Sequence, residues 1–283
     1  MNYFKKKILI FGGSGLLGSH SIHYFKKYYE VYWTYNKPID HKKQFNAIQF
    51  KVCNKKTIKA ILERIKPDVI LNCIGLVSVD ESEKNQDFAY FLNSLFVRDL
   101  VSCLNDNKLK KAFFVQISSG GVYGNSSKKL KTPWKETDDL NPLSIYAKSK
   151  IQGEIETEKY LGPYLILRTD FYGLNLHKNN LTLLAWIIKT AKDKREIIGW
   201  ENIFFSPISA FKLCETLDTL ISKKITGTFN IGSNHGCNKF EFVEKTCNFL
   251  NITPSFTPGL YHEGDGKDLG HLLEFKSEVQ ISL

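Results

Sequence analysis

Short apolar runs alternate along the chain with longer stretches in which apolar residues recur at helical spacing. This alternation is typical of a parallel sheet that is covered by helices. The short runs are apolar at nearly every position, as expected for strands whose two faces are both buried. The predicted strands are residues 7–11, 31–35, 47–52, 69–73, 113–117 and 164–168, and the predicted helices between them are residues 16–29, 57–64, 87–105 and 145–160.

The alternation becomes less regular after about residue 172. The elements predicted there are helices at residues 181–191, 213–222 and 240–250 and a strand at residues 227–231. No segment rich in Gly, Ser or Pro separates the two parts, so we expect them to pack closely. We predict an α/β protein with a doubly wound parallel sheet in residues 1–172 and a smaller mixed α/β substrate lobe in residues 173–283; residues 259–283 carry no pattern that assigns them.

A glycine-rich turn follows the first predicted strand and opens the first predicted helix. Gly12, Gly15 and Gly18 give the spacing that a tight turn, a close approach to a pyrophosphate and close helix–strand packing require. The amides at the start of the helix would bind the anion. The turn therefore predicts a Rossmann-type, dinucleotide-binding domain. The residues expected to contact the dinucleotide here are Gly12, Ser14, Gly15, Leu16, Leu17 and Gly18.

The end of the second predicted strand indicates which dinucleotide binds. An acidic residue there would bind the ribose 2′-OH of NAD and repel the 2′-phosphate of NADP. The chain instead has Asn36 and Lys37, one neutral and one basic residue. We therefore expect NADP(H) as the preferred cofactor, with NAD(H) as the alternative.

Tyr146 and Lys150 are the candidate catalytic pair. They lie four residues apart in a predicted helix and so share one face. A lysine ammonium beside a phenol is expected to lower the phenol's pKa, and the tyrosine could then exchange a proton with a sugar hydroxyl or carbonyl at neutral pH. The spacing alone is common in helices. Its combination with the glycine turn is what points to dinucleotide chemistry.

The net charge of +10 would suit nucleic acid, an anionic membrane or a doubly negative small ligand. The lysines are dispersed and form only short runs, so we interpret most of them as a solvated surface and expect neither a nucleic-acid nor a membrane partner. The six cysteines form no Cys-x-x-Cys pair, which favours buried thiols over disulfides or a metal site. The apolar run at residues 8–11 is too short for a signal sequence, and we expect a cytoplasmic protein.

Several ordered motifs together resemble the extended short-chain dehydrogenase/reductase family, in particular the branch that contains dTDP-4-dehydrorhamnose reductase. The resemblance runs from about residue 7 to about residue 251. The motifs that carry it are the glycine turn, residues 66–75 and 79–83, Asn93, residues 115–124, residues 146–154, residues 167–173 and residues 206–208.

The resemblance implies roles for individual residues. Ser119, Tyr146 and Lys150 match the catalytic serine, tyrosine and lysine, and Asn93 matches an asparagine that helps to place them. Ser118 precedes Ser119, and because side chains alternate along a strand only one of the two serines is expected to face the cleft. The remaining implied residues are Cys73, Ile74 and Gly75 beside the cofactor, and Val77, Ser119, Gly120, Gly121 and Tyr172 beside the substrate.

The function that the resemblance implies is reduction of a nucleotide-linked 4-keto-6-deoxysugar by NADP(H), with Tyr146 as the proton donor. Two alternatives remain. The segment at residues 118–124 looks more like the epimerases and dehydratases of the same superfamily, and relatives of this branch also serve as idle regulatory subunits. The resemblance further implies a homodimer through the predicted helices at residues 87–105 and 145–160.

Overall fold

The fold is described from a computed structural model, for residues 5–37, 45–51, 54–106, 111–124, 134–177, 182–252 and 256–260. Its strands are β1 (Lys7–Phe11), β2 (Glu30–Tyr35), β3 (Ala47–Gln49), β4 (Val69–Asn72), β5 (Phe113–Ile117), β6 (Tyr164–Thr169), β7 (Phe171–Tyr172), β8 (Ile197–Trp200), β9 (Phe204–Phe205), β10 (Ile208–Ser209), β11 (Gly227–Ile231), β12 (Cys237–Asn238) and β13 (Phe256–Gly259). Its α-helices are α1 (Leu16–Phe25), α2 (Lys55–Ile65), α3 (Val79–Lys84), α4 (Gln86–Tyr90), α5 (Phe96–Asp106), α6 (Ile145–Glu158), α7 (Leu183–Lys192), α8 (Ala210–Ser222) and α9 (Lys239–Phe249).

One parallel sheet organises the described residues. Its strand order is β11-β6-β5-β4-β1-β2-β3, so the chain starts in the middle and extends the sheet in both directions. This order confirms the predicted Rossmann-type, doubly wound sheet. The carboxyl ends of β1, β4, β5 and β6 all lie at one edge, which is where such folds bind their ligands.

The sheet is buried on both faces, as the apolar strand runs predict. Side chains alternate along β1, so Ile8 and Ile10 enter the core under α1 and α8. Leu9 and Phe11 enter the opposite core, which α2 and α5 cover. Both cores therefore hold β1 firmly, and the glycine turn that follows it starts from a rigid strand.

A third apolar core belongs to the later part of the chain. It contains Ile187 of α7, Phe205 of β9 and Phe242 of α9. Two other late elements join the large sheet instead, because β11 pairs with β6 and α8 packs against α1. The division of the chain at residue 172 stays a prediction, and α8 and β11 show that the chain returns to the large sheet after that point.

Several predicted boundaries are wrong. The helix predicted at residues 16–29 ends at Phe25, because the chain must turn back before β2 starts at Glu30. The strand predicted at residues 47–52 ends at Gln49, and residue 52 lies outside the described residues. The last helix and the strand at residues 227–231 lie close to where they were predicted. The short helix α3, which Ser78 caps at the Glu81 amide at 3.1 Å, was not predicted.

The helix predicted at residues 87–105 is interrupted by a wider π-helical turn, Phe91–Leu95, between α4 and α5. Such a turn inserts one residue and shifts the backbone outward, and it is frequent at functional sites. Here the backbone carbonyl of Asn93 reaches α6 at Gly153, where an added Cβ would lie 2.3 Å from that oxygen. Only a glycine lets α6 lie this close to the turn.

Among the described helices, none has both the length and the apolar composition that crossing a bilayer requires.

We predict that Gly153→Ala destabilises the protein although alanine favours helices. The gain in helix propensity is about 1 kcal/mol, whereas a methyl group forced against backbone typically costs about 1–3 kcal/mol. Because the added Cβ would lie 2.3 Å from a backbone oxygen, we expect a cost at the upper end of that range and a net loss of up to about 2 kcal/mol in the free energy of unfolding, measured by urea denaturation. Gly173→Ala is the matched control, because its Cβ would meet the flexible end of Leu16 at 3.3 Å. A stabilised Gly153→Ala variant would contradict the close contact.

Candidate active site

The glycine turn has the geometry of a dinucleotide cradle. Gly12 has a φ of 81° and donates its N–H to Thr34 Oγ1 at 3.0 Å, which fixes the turn against β2. A Cβ on Gly12 would lie 2.9 Å from the Cys73 carbonyl, and one on Gly18 would lie 2.2 Å from the Gly12 carbonyl. The backbone is therefore as close-packed as the spacing predicts. Since Gly15 is the N-cap of α1 and carries no side chain, the helix start is left open to an anion.

A loop that sequence reasoning missed crosses this turn. Asn175 donates from Nδ2 to the Ser14 carbonyl at 3.2 Å, and the His177 ring stacks on Trp33 with the centroids 5.7 Å apart. The contacts join residues more than 140 positions apart in the chain, and no local motif signals them. Asn36 and Lys37 are exposed just beyond β2, where the predicted cofactor ribose would lie.

Ser118 and Ser119 face opposite ways at the end of β5. Ser118 donates to the buried Glu154 carboxylate, away from the cleft. Ser119 accepts the Gly121 N–H at 3.2 Å and lies close enough to the Tyr146 phenol to lower its pKa. Strand alternation therefore makes Ser119 the serine beside Tyr146, at the position where the sequence placed it.

Burial dominates the electrostatics of Tyr146. Desolvation raises the pKa of its phenol to about 12, the hydrogen bond with Ser119 lowers it, and the Asp170 charge raises it. Lys150, which was predicted to lower this pKa, is not among the groups that shift it, and the loss of water dominates. Tyr146 thus keeps its proton at neutral pH.

Lys150 lies in the same site but is directed at backbone. Its Nζ donates to the Ile117 carbonyl at 2.9 Å, at the end of β5. A Cβ on Gly75 would lie 3.2 Å from that nitrogen, so the loop after β4 also approaches it closely. Burial lowers the pKa of Lys150 to about 8, although the charges of Cys73 and Glu154 partly oppose the shift.

Asn93 ties the loop after β4 to α6. Its amide accepts the Leu76 N–H at 2.9 Å, donates to the Leu76 carbonyl at 3.2 Å and donates to Ser149 Oγ at 2.9 Å. Ser149 in turn donates to the Tyr146 carbonyl at 2.7 Å. Asn93 is fully buried, and the supporting position expected for it agrees with these contacts.

The other expected contact residues are distributed around the same edge of the sheet. Gly120 and Gly121 form a buried turn after β5, and Cys73 and Ile74 lie beside the glycine turn. Val77 is 68% exposed. Tyr172 packs edge-to-face on Phe242, with the centroids 5.2 Å apart, against the third apolar core. Their contacts with a cofactor or substrate stay predictions.

The buried ion pair between Arg168 and Glu154 is a second feature that sequence reasoning missed. Arg168 Nη2 lies 2.7 Å from Glu154 Oε2, and Glu154 lies one turn beyond Lys150 on α6. A charged residue within the apolar run of β6 was the signal available in the sequence. In the described part of the chain, no three metal-ligating side chains group together.

A Rossmann-type sheet whose glycine turn shares one edge with a serine, a tyrosine and a lysine defines a short-chain dehydrogenase/reductase-type protein. Within that class, the chain belongs to the family described as the RmlD substrate binding domain, whose match covers residues 6–262.

The chain is similar in sequence to reductases and to a dehydratase of nucleotide sugars. The chain is 29% identical to the dTDP-4-dehydrorhamnose reductase of Shigella flexneri over 163 residues, 57% of this chain and 51% of that protein. The chain thus spans about half the length of the curated reductases it matches. It is 26% identical to the dTDP-D-glucose 4,6-dehydratase of Bos taurus over 275 residues, 89% of this chain and 75% of that protein.

A solved structure shares the fold. It is the dTDP-4-dehydrorhamnose reductase of Bacillus anthracis in complex with NADP, with a TM-score of 0.78 and 24% identity, covering 92% of this chain and 86% of that chain. At this identity the likeness is one of fold.

We predict that Asn93→Ala costs about 2–4 kcal/mol of unfolding free energy. The substitution leaves the buried N–H and carbonyl of Leu76 without their partner, and each such group costs about 1–3 kcal/mol. Asn105 is the matched control, because its amide makes the same kind of bridge to the Lys159 carbonyl and the Leu161 N–H in an exposed place. Asn105→Ala should cost less than about 1 kcal/mol, since water replaces its bonds. If urea denaturation shows equal losses of unfolding free energy for Asn93→Ala and Asn105→Ala, Asn93 does not tie the loop after β4 to α6 in the way described.

Proposed function

We propose that the protein is an NADP(H)-dependent reductase that transfers a hydride to the keto carbon of a nucleotide-linked 4-keto-6-deoxysugar. The observation that carries the proposal is the position of Ser119 beside the buried Tyr146 phenol, at the sheet edge that also bears the glycine turn. Membership in the reductase family and the similarity to named dTDP-4-dehydrorhamnose reductases support the substrate class.

The residues fit a dinucleotide. A Cβ at Gly12 or Gly18 would collide with neighbouring backbone, so the turn requires glycine at both positions. The start of α1 offers backbone amides to a pyrophosphate. When bound, the dihydronicotinamide supplies the hydride. Lys150 would hold the nicotinamide ribose. Its ammonium lies next to Gly75 and the end of β5, which would form the rest of the ribose site.

Tyr146 and Ser119 would handle the substrate carbonyl. As the keto carbon gains a hydride, its oxygen becomes negative and takes the proton from the Tyr146 hydroxyl. The Ser119 hydroxyl donates a hydrogen bond to the same oxygen and stabilises its developing charge. The raised pKa of Tyr146 supports this direction of transfer, since the phenol holds its proton until the alkoxide forms.

The second candidate function is that of an epimerase or dehydratase. The similarity to a dTDP-D-glucose 4,6-dehydratase over most of the chain favours it, as does the segment at residues 118–124. Enzymes of that kind return their cofactor unchanged. Net oxidation of NADPH in proportion to substrate, with the product identified by NMR, distinguishes a reductase from them. If NADPH is not oxidised and no sugar is converted, the result would favour the third alternative, an idle regulatory subunit.

A homodimer and a cytoplasmic location both stay predictions.

We predict that Tyr146→Phe lowers the turnover of dTDP-4-dehydrorhamnose about 10²–10⁴-fold, because a positioned general acid contributes a factor of this size. The measurement is NADPH oxidation at saturating substrate, and NADPH affinity by fluorescence should stay unchanged. Tyr160→Phe is the matched control: that hydroxyl is also buried but donates to the Ala112 carbonyl at 2.9 Å. A Tyr146→Phe variant with near-normal turnover would remove Tyr146 from the mechanism.

We predict that Asn36→Asp weakens NADPH binding roughly tenfold and preserves or strengthens NADH binding, because a carboxylate there can bind the ribose 2′-OH of NADH. A carboxylate at this exposed position would repel the 2′-phosphate, and solvent reduces the full repulsion to about 1–2 kcal/mol. Binding of both cofactors is measured by fluorescence titration. Asn251→Asp introduces the same charge on an exposed residue after α9 and should change neither affinity. If both cofactors lose affinity equally at Asn36→Asp, the 2′-phosphate does not lie there.

A further inference from the structure

Asp170 presents a carboxylate that the fold leaves unsatisfied. It lies between β6 and β7, and its backbone carbonyl accepts the Ile208 N–H at 3.0 Å, which holds its position. Its Oδ2 atom is buried and, among the described residues, has no hydrogen-bond partner. The residue as a whole is only half-buried, so part of it reaches open space. Buried carboxylate oxygens normally have partners, and an exception needs an explanation.

Asp170 lies at the same edge of the sheet as the candidate active site, directly after β6. Ser118 N donates to the Leu167 carbonyl at 2.7 Å, so the end of β6 runs beside the turn that contains Ser119. Asp170 is near enough to Tyr146 for its charge to raise the pKa of the phenol. The unsatisfied carboxylate therefore lies near the proposed proton donor, at the edge where the neighbouring strands β5 and β6 end.

Lys239 is the cation on the other side of Asp170. It opens α9, and its Nζ lies 3.5 Å from the centroid of the Phe205 ring. The two charges act on each other, since Asp170 raises the pKa of Lys239 and Lys239 lowers that of Asp170, while burial shifts each group toward its neutral form more strongly. Lys239 does not supply the hydrogen bond that Oδ2 lacks.

We propose that Asp170 is a substrate-recognition residue whose carboxylate accepts a hydrogen bond from a hydroxyl of the sugar next to the carbon that reacts at Tyr146. This inference rests on the proposed function. A carboxylate is an acceptor only, so the group that completes it must be a donor. A sugar ring offers hydroxyl donors, whereas a phosphate would be repelled. Lys239 opposes the effect of burial on Asp170 and so favours its ionised form, which is the form that accepts.

The test compares binding of sugar nucleotides with binding of the bare nucleoside diphosphates by calorimetry, so that turnover is not needed. The probes are dTDP-rhamnose, UDP-glucose and GDP-mannose against dTDP, UDP and GDP. In the wild-type protein at least one sugar nucleotide should bind more tightly than its diphosphate. Asp170→Asn should weaken that sugar nucleotide roughly tenfold and Asp170→Ala up to about a hundredfold, as expected for a hydrogen bond to a charged group.

The bare diphosphates and NADPH should bind the two variants as they bind the wild type, which also shows that the variants are folded. Asp193→Asn, an exposed carboxylate after α7, is the control and should change nothing. Equal binding of the sugar nucleotide to the wild type and to Asp170→Ala would overturn the inference, as would a wild type that gains nothing from the sugar. If the Asp170 variants lose affinity for the sugar nucleotide as expected but the wild type never oxidises NADPH, the result would count against the proposed function alone. A wild type that binds none of the probes would overturn both.

Discussion

The buried ion pair between Arg168 and Glu154 is the interaction on which the site depends. The two side chains are only 8% and 5% exposed, and Arg168 also donates to the Tyr123 hydroxyl at 2.8 Å. Burial alone would lower the pKa of Arg168, but the Glu154 carboxylate raises it above its usual range. Removing either partner would leave a buried charge alone, which typically costs about 3–5 kcal/mol. The pair therefore fixes α6 to β6 strongly.

This attachment decides which groups face the cleft. Glu154 binds Ser118 as well as Arg168, so the first of the two adjacent serines is directed into the protein interior. The second, Ser119, is consequently turned toward Tyr146. On a different face of α6, Gly153 admits the π-helical turn and with it the Asn93 amide. The helix is thus held from two directions within one turn of Lys150, and the face that carries Tyr146 and Lys150 has little freedom to shift.

The sequence predicted the parts of the site whose signals are local. The glycine spacing of residues 12–18 and the four-residue spacing of Tyr146 and Lys150 can be read within single segments, and the sheet followed from its apolar strands. The π-helical turn at Asn93 could not be predicted, because the apolar pattern of a helix with one inserted residue is nearly that of a regular helix. The contacts of Asn175 with Ser14 and of Asp170 with the cleft join distant segments, which have no spacing to read.

The pKa of Tyr146 was the prediction that failed on physical grounds, and its failure bears on the direction of the chemistry. Nearness in sequence says which charges are close but not how much water a side chain loses, and here the loss of water dominates. An enzyme that starts by oxidising a hydroxyl must first remove the phenol's proton, and each pKa unit above the ambient pH adds about 1.4 kcal/mol to that step. A reductase needs the proton in place. A buried phenol that keeps its proton at neutral pH therefore agrees with the proposed reduction, in which the substrate oxygen takes up that proton.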